Sequence, residues 1–507
     1  MNFLWLIKTE SYKRGMLLSV IFNIISKGIL FLLTILIARF FGSNIKTDIY
    51  FFVYGSMVLF AGFINTIDTM VLIPESMRLR EKQGNDIATG FLNFFFRLYF
   101  FIGIVFVALM FFFGTTIFGF ISKFSETDIL TYKNYFLLGS LYFLFMILTN
   151  YINTILTSLK FFTIPMIISG INSCIVIAGI LLLHRQFDVL SVFWGGIAAC
   201  SINLVLLLIV MKKKAGWNFS DRSSGIKKKV WSNICFAELG QLATLASSLF
   251  PLYLLSGFGS GVISVMNYGK NIADIPNTLV TAQLANVSGI QLNEQAARND
   301  GSGMNTTFLS TSKYLIFILV PVGFFMFVFA GPIVEIVYKR GSFDVASVES
   351  AAIFMKLLAV TVFSIAVNTM VSRVFIAMQA VKQAFIYQVI MNVFLIIAIW
   401  LFVGYFGAYG YGYAVITMSV INFIGLHFMC RIIAPQVNYA ALARYTIGII
   451  LLNGAIAAAF YYGASYLQIN MVCKLVVLLV VWSLILALLN KLFHLDFNIA
   501  PGLKNKQ

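Results

Sequence analysis

The chain has 507 residues, a mean hydropathy of +0.94, 60% hydrophobic residues and only 10% charged ones, more apolar matter than a soluble core of this size uses. A net charge of +17 does not make a nucleic-acid face. Its Lys and Arg collect in short connections between apolar runs, at KTESYKR (8–14), RLREK (78–82), KKK (212–214 and 227–229) and KNK (504–506), which is the positive-inside pattern of a polytopic membrane protein.

In chain order, apolar runs of the length that crosses a bilayer, about 20 residues, are predicted over 17–41, 49–73, 92–120, 134–158, 162–183, 189–211, 230–256, 262–290, 310–336, 351–378, 384–404, 408–430, 442–464 and 472–493. The first run is not a cleavable signal, because no small-residue cleavage site closes it and equally long runs follow. Fourteen spans with a cytoplasmic N-terminus place most basic connections, and the C-terminus, in the cytoplasm. Two stretches share one plan: ILIARFFGSNIKTDIYFFVYGS (35–56) and LYLLSGFGSGVISVMNYGK (252–270). Each is an apolar run, a Gly-containing turn and a second run that opens with polar residues. The echo predicts an all-α protein of two related bundles around a central cavity. The expected division is 1–229 (six spans and a basic loop), 230–441 (six spans), and 442–507 (two spans and a tail). The stretch Gly-Trp-Asn-Phe-Ser-Asp (216–221) reads as an interfacial loop.

Charges inside such spans are costly and mark candidate sites. Lys27 lies inside the first span, where it either snorkels to the interface or faces a cavity. Arg39 closes that span and Asp48 opens the next, at the spacing of an interfacial ion pair. Asp68 is a candidate proton or cation site or a packing partner, and Arg97 an anchor. Glu238 and Gln241 share one face of the seventh span. In VISVMNYGKNIADIPNTL (262–279), Lys270, Asp274 and Asn277 follow i, i+4, i+7 spacing, with Asn271 beside them and Pro276 as a bend. The polar stripe continues to Gln283 and Asn286, further than a structural Lys270–Asp274 pair requires, so it is expected to line a wet cavity. Lys27 and Lys270 would draw a phosphate or diphosphate in a low-dielectric setting. Lys356, Asn368 and Arg373 fall in the tenth span, and Arg373 snorkels.

Enzyme chemistry finds no footing. The five Cys have neither metal-ligand nor disulfide spacing, His184, His427 and His494 are far apart, and no nucleotide-binding loop or nucleophile elbow occurs. No cofactor is expected, and the membrane potential or an H+ or Na+ gradient is the natural driving force for a single-chain carrier.

The sequence resembles the MurJ/MviN lipid II flippases, within the superfamily of multidrug, oligosaccharidyl-lipid and polysaccharide exporters. The resemblance rests on SKGILFLLTILIARFFGSNIKTDIYFF (26–52), VISVMNYGKNIADIP (262–276), GPIVEIVYKRGSFD (331–344), SRVFIAMQAVKQAF (372–385) and GAYGYGYAV (407–415), of which YKRGSFD is the most specific. It implies a bacterial inner-membrane protein with two lobes around a V-shaped cavity and alternating access that carries an undecaprenyl-diphosphate-linked precursor to the outer face. It also implies a groove for the lipid tail formed by the last two helices.

Departures from the family pattern concentrate in the cavity. Lys27 takes the first arginine position, Leu33 and Thr34 stand where Arg-Asp is expected, Ala61 and Gly62 occupy a basic position, and Asn271 replaces an arginine beside Lys270. Asp48, Asp274, Arg373 and Gln379 agree. The expected substrate-contacting set is Lys27, Lys270 and Asn271. Asp48, Arg39, Asp274, Asn277, Glu238, Gln241 and Arg373 are cavity or gating candidates, and Asp68 and Glu238 are candidates for ion coupling. The substrate is lipid II or another polyprenyl-linked glycan. The chain is expected to work as a monomer among membrane lipids, alongside envelope-synthesis enzymes. Two other readings compete: a cation-coupled drug exporter and a non-transporting scaffold for envelope synthesis.

Overall fold

A computed structural model describes residues 12–161, 163–221, 226–463 and 469–493. Every regular element among them is helical, as a bilayer dictates for a chain whose backbone groups must be satisfied within each segment. The helices are α1 (Tyr12–Phe41), α2 (Ile45–Ile67), α3 (Ile73–Gln83), α4 (Asn85–Ile121), α5 (Glu126–Thr131), α6 (Lys133–Ser158), α7 (Thr163–Phe187), α8 (Leu190–Lys214) and α9 (Lys228–Leu255). There follow α10 (Val262–Ala273), α11 (Ala282–Ala297), α12 (Gly301–Val328), α13 (Ala330–Tyr338), α14 (Val345–Ala359), α15 (Val362–Ala377), α16 (Val381–Phe406), α17 (Gly410–Ile433), α18 (Tyr439–Gly463) and α19 (Met471–Phe493). Two π turns, Asp68–Leu72 and Asn277–Thr281, interrupt the α2–α3 and α10–α11 runs.

Among the described residues, eleven helices are long and apolar enough to cross a membrane, or twelve if the pair α14 and α15, bent by 40°, is one span. The expected fourteen is not reached, for two physical reasons. The α10–α11 run carries too many polar groups to qualify. The stretch Lys382–Ile433 counts once at 52 residues, although it holds α16 and α17, which pack against each other and together far exceed one bilayer crossing.

The helices cluster into two compact units, Met1–Ser264 with Arg340–Phe343, and Val265–Lys339 with Asp344–Gln507. In this division α9, expected to open the second lobe at residue 230, belongs to the first unit, because it packs on α2. Within the first unit α7 joins α1 to α8, and α6 lies against α2, α4 and α8. Aromatic rings fill the space between them, Phe118 stacking on Phe136 at 3.8 Å. The segment 216–221, expected as an interfacial loop, docks on α4. Trp217 is buried and donates its indole N–H to Asn93 at 2.8 Å, while Arg97 donates to the Phe219 carbonyl at 3.0 Å.

The YKRGSFD element has a steric explanation inside the first unit. Ser342 donates its N–H to the Arg39 carbonyl at 2.9 Å and its hydroxyl to that of Phe40 at 3.1 Å. A Cβ on Gly341 would meet the Arg39 carbonyl at 2.2 Å, and one on Gly42 would meet that of Ser342 at 2.4 Å. Both glycines have φ near +65° (63° and 65°), a region that side chains resist.

In the second unit α12 is the hub, packing on α11, α15 and α18. Phe325 and Phe329 of α12 and its C-cap, with Ile456 and Ala457 of α18, meet Trp482 of α19. The Trp482 indole donates to Asn453 at 3.1 Å, and the Asn453 amide to the Ile449 carbonyl at 2.9 Å. Buried polar side chains are thereby satisfied in an otherwise apolar pair of helices.

Asn44 starts α2 with a full capping box, accepting from the Lys46 and Thr47 N–H groups while the Thr47 hydroxyl accepts from its own N–H at 2.8 Å. Asn44→Ala is expected to lower stability by about 1 kcal/mol, and Asn44→Ser to recover most of it, measured as the thermal midpoint in detergent.

Candidate functional site

In the first unit the two acidic residues of the second predicted span have different surroundings. Asp48, 2% exposed, does not pair with Arg39 as its spacing suggested. Its carboxylate accepts from the Gly261 N–H at 2.6 Å, the Ser264 N–H at 2.7 Å and the Ser264 hydroxyl at 2.5 Å. These donors begin α10, so Asp48 serves as a helix cap contributed from more than two hundred residues away. Negative charge at a helix N-terminus is stabilised by the unsatisfied N–H groups and the dipole. Arg39 is exposed, its guanidinium 5.8 Å from the Phe40 ring centroid. Asp48 therefore holds the start of the polar α10 rather than tying the first hairpin.

Asp68, 1% exposed, opens the π turn after α2 and accepts from the Tyr99 hydroxyl at 2.8 Å. The Tyr99 ring packs on Tyr151, whose own hydroxyl donates to the Leu92 carbonyl at 2.8 Å. Glu238 of α9 lies close enough for its charge to act on Asp68, and both its carboxylate oxygens are buried without a hydrogen-bond partner. The structure thus brings together the two carboxylates expected to be involved in ion coupling. Gln241, one turn on, is half-buried. Tyr99 was missed because a tyrosine in FFFRLYFF reads as one more aromatic packing residue.

Lys27 is exposed on α1 and makes no hydrogen bond or ion pair among the described residues. Leu33, at an expected arginine position, is 8% exposed and lies beside Tyr50, Tyr54 and Tyr142, and Ala61, at another, is 3% exposed. Both side chains are packed against the protein.

In the second unit the polar stripe has three parts. Lys270 and Asp274 form the expected i,i+4 ion pair. Their side chains stay 43% and 34% exposed, so a ligand can reach both. Asn271 and Asn277 are half-buried beside them. The predicted continuous face from 270 to 277 is broken, since α10 ends at Ala273 and a π turn occupies Asn277–Thr281, with Pro276 just before it. Beyond the turn, Arg373 of α15 donates to Asn286 at 2.6 Å. Arg373 therefore has a partner within the second unit.

Tyr411 of α17 lies within electrostatic reach of the Lys270–Asp274 pair, a neighbour that GYGYAV does not betray. Lys270 and Asn271 before the π turn, and Arg373 with Asn286 beyond it, offer the donors that anion binding uses. Among the described residues no cluster of His, Cys, Asp and Glu could hold a metal ion.

A sequence model of the lipid II flippase MurJ family matches residues 37–499. A probable lipid II flippase MurJ of Borreliella burgdorferi is 22% identical over 387 residues, 73% of either chain. A solved lipid II flippase MurJ in an inward closed conformation superposes with a TM-score of 0.80 at 18% identity, covering 95% of this chain and 99% of that one. An inward-facing multidrug resistance MATE family transporter of the MOP superfamily superposes with a TM-score of 0.66 at 15% identity, over 83% of this chain and 99% of that one.

Asp48→Ala would strand two backbone donors at the start of α10, a loss of roughly 3 kcal/mol. Asp48→Asn, which keeps one acceptor, is expected to lose less. Thermal unfolding of the two variants in detergent ranks them, and equal losses would show that the carboxylate geometry is not what holds α10.

Proposed function

The chain belongs to the lipid II flippase MurJ family, and from that premise we propose that it carries lipid II, or a closely related undecaprenyl-diphosphate-linked glycan, from the inner to the outer face of the bacterial cytoplasmic membrane by alternating access. The observation that supports this most directly is the accessible Lys270–Asp274 pair of α10 with Asn271 beside it. These donors, with Arg373 on Asn286 beyond the π turn, suit a diphosphate and its sugar, where a cationic drug would want carboxylates. Lys270 and Asn271 are the proposed diphosphate contacts of the second unit, and Lys27 is the candidate contact of the first. Arg373 and Asn277 extend the strip toward the glycan. Asp48 holds α10 in place, and Arg39, Glu238 and Gln241 remain gating candidates.

Asp68 and Glu238 are the proposed coupling groups for a cation gradient. Two adjacent carboxylates inside membrane helices, one of them unpartnered, are costly unless they bind and release a proton or cation during the cycle. The membrane potential would act on the same charge movement. The basic connections favour cytoplasmic termini. No enzymatic step, cofactor or obligatory partner is needed, and a single chain suffices.

The test is flipping in vesicles that contain the purified protein and either lipid II or a simpler undecaprenyl-diphosphate glycan. Lys270→Ala and Lys27→Ala should each slow transport by about tenfold or more, the scale of one charge-assisted contact. Asp68→Asn should blunt the response to an imposed gradient while leaving lipid binding intact. Transport that survives both lysine changes would refute the proposed binding strip, and folded protein that moves neither lipid would refute the flippase reading.

A further inference from the structure

The carboxylates of Asp68 and Glu238 are both withdrawn from water, yet the structure provides for their charges unequally. Asp68 has a donor, the Tyr99 hydroxyl at 2.8 Å. Packing aims that hydroxyl. The Tyr99 ring meets Tyr151 edge-on at 5.1 Å, and Tyr151 is fixed in turn by its bond to the Leu92 carbonyl. Both phenols are buried. A hydrogen bond donated to a carboxylate holds its charged form.

Glu238 has no such provision. Both of its oxygens are buried, and neither has a hydrogen-bond partner. Its helix, α9, packs on α2 and on the π turn that Asp68 opens, so its charge acts on Asp68 and also on Tyr99. The titratable groups that face Asp68 are Tyr99 of α4, Tyr151 of α6 and Glu238 of α9. Among the described residues no lysine, arginine or histidine acts on either carboxylate. Two carboxylates in mutual reach, inside membrane helices and without a counter-ion, are costly when both are charged. One proton on the pair removes the repulsion, and it settles on the member that has no donor. A proton also asks for one oxygen only, whereas a hard metal ion gathers a shell of about six.

We infer that the coupling ion is a proton and that Glu238 carries it, with Tyr99 as the positioning residue that keeps the neighbouring Asp68 ionised. This inference rests on the coupling reading above and deepens it, by naming the ion and dividing the roles of the two acids. Uptake of a proton from water makes Glu238 a neutral carboxylic acid beside one charge. Its release to water leaves two like charges across the contact between α9 and the π turn, which weakens that contact. No bond of the lipid substrate is made or broken in either step.

One test uses the unaltered full chain in sealed vesicles with lipid II, the membrane potential clamped by K+ and valinomycin. An imposed pH gradient should speed flipping severalfold, and an equal Na+ gradient should not. The other is infrared difference spectroscopy of the purified protein in H2O and D2O over a pH series, which reads the C=O stretch of a protonated carboxyl and its isotope shift. That band should be present in the unaltered protein, survive in Asp68→Asn and vanish in Glu238→Gln. Adding Tyr99→Phe to Glu238→Gln should bring a band back, because Asp68 then lacks its donor and takes the proton itself. A tyrosine that only packs would give no such return. A band that survives Glu238→Gln and vanishes in Asp68→Asn overturns the division of roles. Flipping driven by the Na+ gradient overturns the proton and keeps the coupling reading. Flipping indifferent to both gradients overturns the coupling reading itself, and that measurement needs no variant to fold.

Discussion

Hydrocarbon supplies no hydrogen bonds, so a polar group inside this protein is either satisfied by another part of the chain or reaches water or a ligand. Most of the interior follows the first course. Asn453 and Trp482 satisfy each other between α18 and α19, Asn93 meets Trp217 and the carbonyls of residues 218 and 221, and Asp48 accepts from the first N–H groups of α10. Against that background the charged groups that stay unsatisfied, or satisfied and yet accessible, stand out. Among them are Glu238 beside Asp68 in the first unit and the Lys270–Asp274 pair in the second. A soluble protein of the same length would hide such residues among hundreds of hydrated charges.

Much of the fold was legible in the sequence because the bilayer imposes a length on every apolar run. The runs at 92–120, 134–158, 189–211 and 472–493 all return as helices with ends within a few residues, apart from the longer start of α4. The span count was less legible. A run such as 262–290 is amphipathic in a way that hydropathy alone cannot separate from a soluble helix, and α14–α15 bends in the middle of one expected span. The π turns at Asp68 and Asn277 left no compositional mark, since a π turn needs one extra residue and not a particular side chain.

The site was legible where partners are four residues apart and illegible where they are far apart. Lys270 and Asp274 declare their pairing through helical spacing. Asp48 and Arg39 seemed to do the same across a short turn, but the carboxylate went to stronger partners. Three donors, two of them at a helix N-terminus, outweigh one exposed guanidinium whose attraction water screens. No local rule could find Gly261 and Ser264 from Asp48, or Tyr99 from Asp68. The internal echo of 35–56 and 252–270 did place Asp48 and the start of α10 at comparable points in two halves, which was the nearest thing to a signal.

Glu238 and Lys270 show two outcomes for a charge inside a membrane helix. Both Glu238 carboxylate oxygens are buried without a hydrogen-bond partner, within reach of Asp68 in the first unit. Lys270, in the second unit, is paired with Asp274 one helical turn on. An internally compensated pair adds little net charge to its surroundings, so a ligand meets it through hydrogen bonds. An unpartnered carboxylate is costly until a proton or cation reaches it. The pair suits recognition of a polar headgroup, and the lone carboxylate suits coupling.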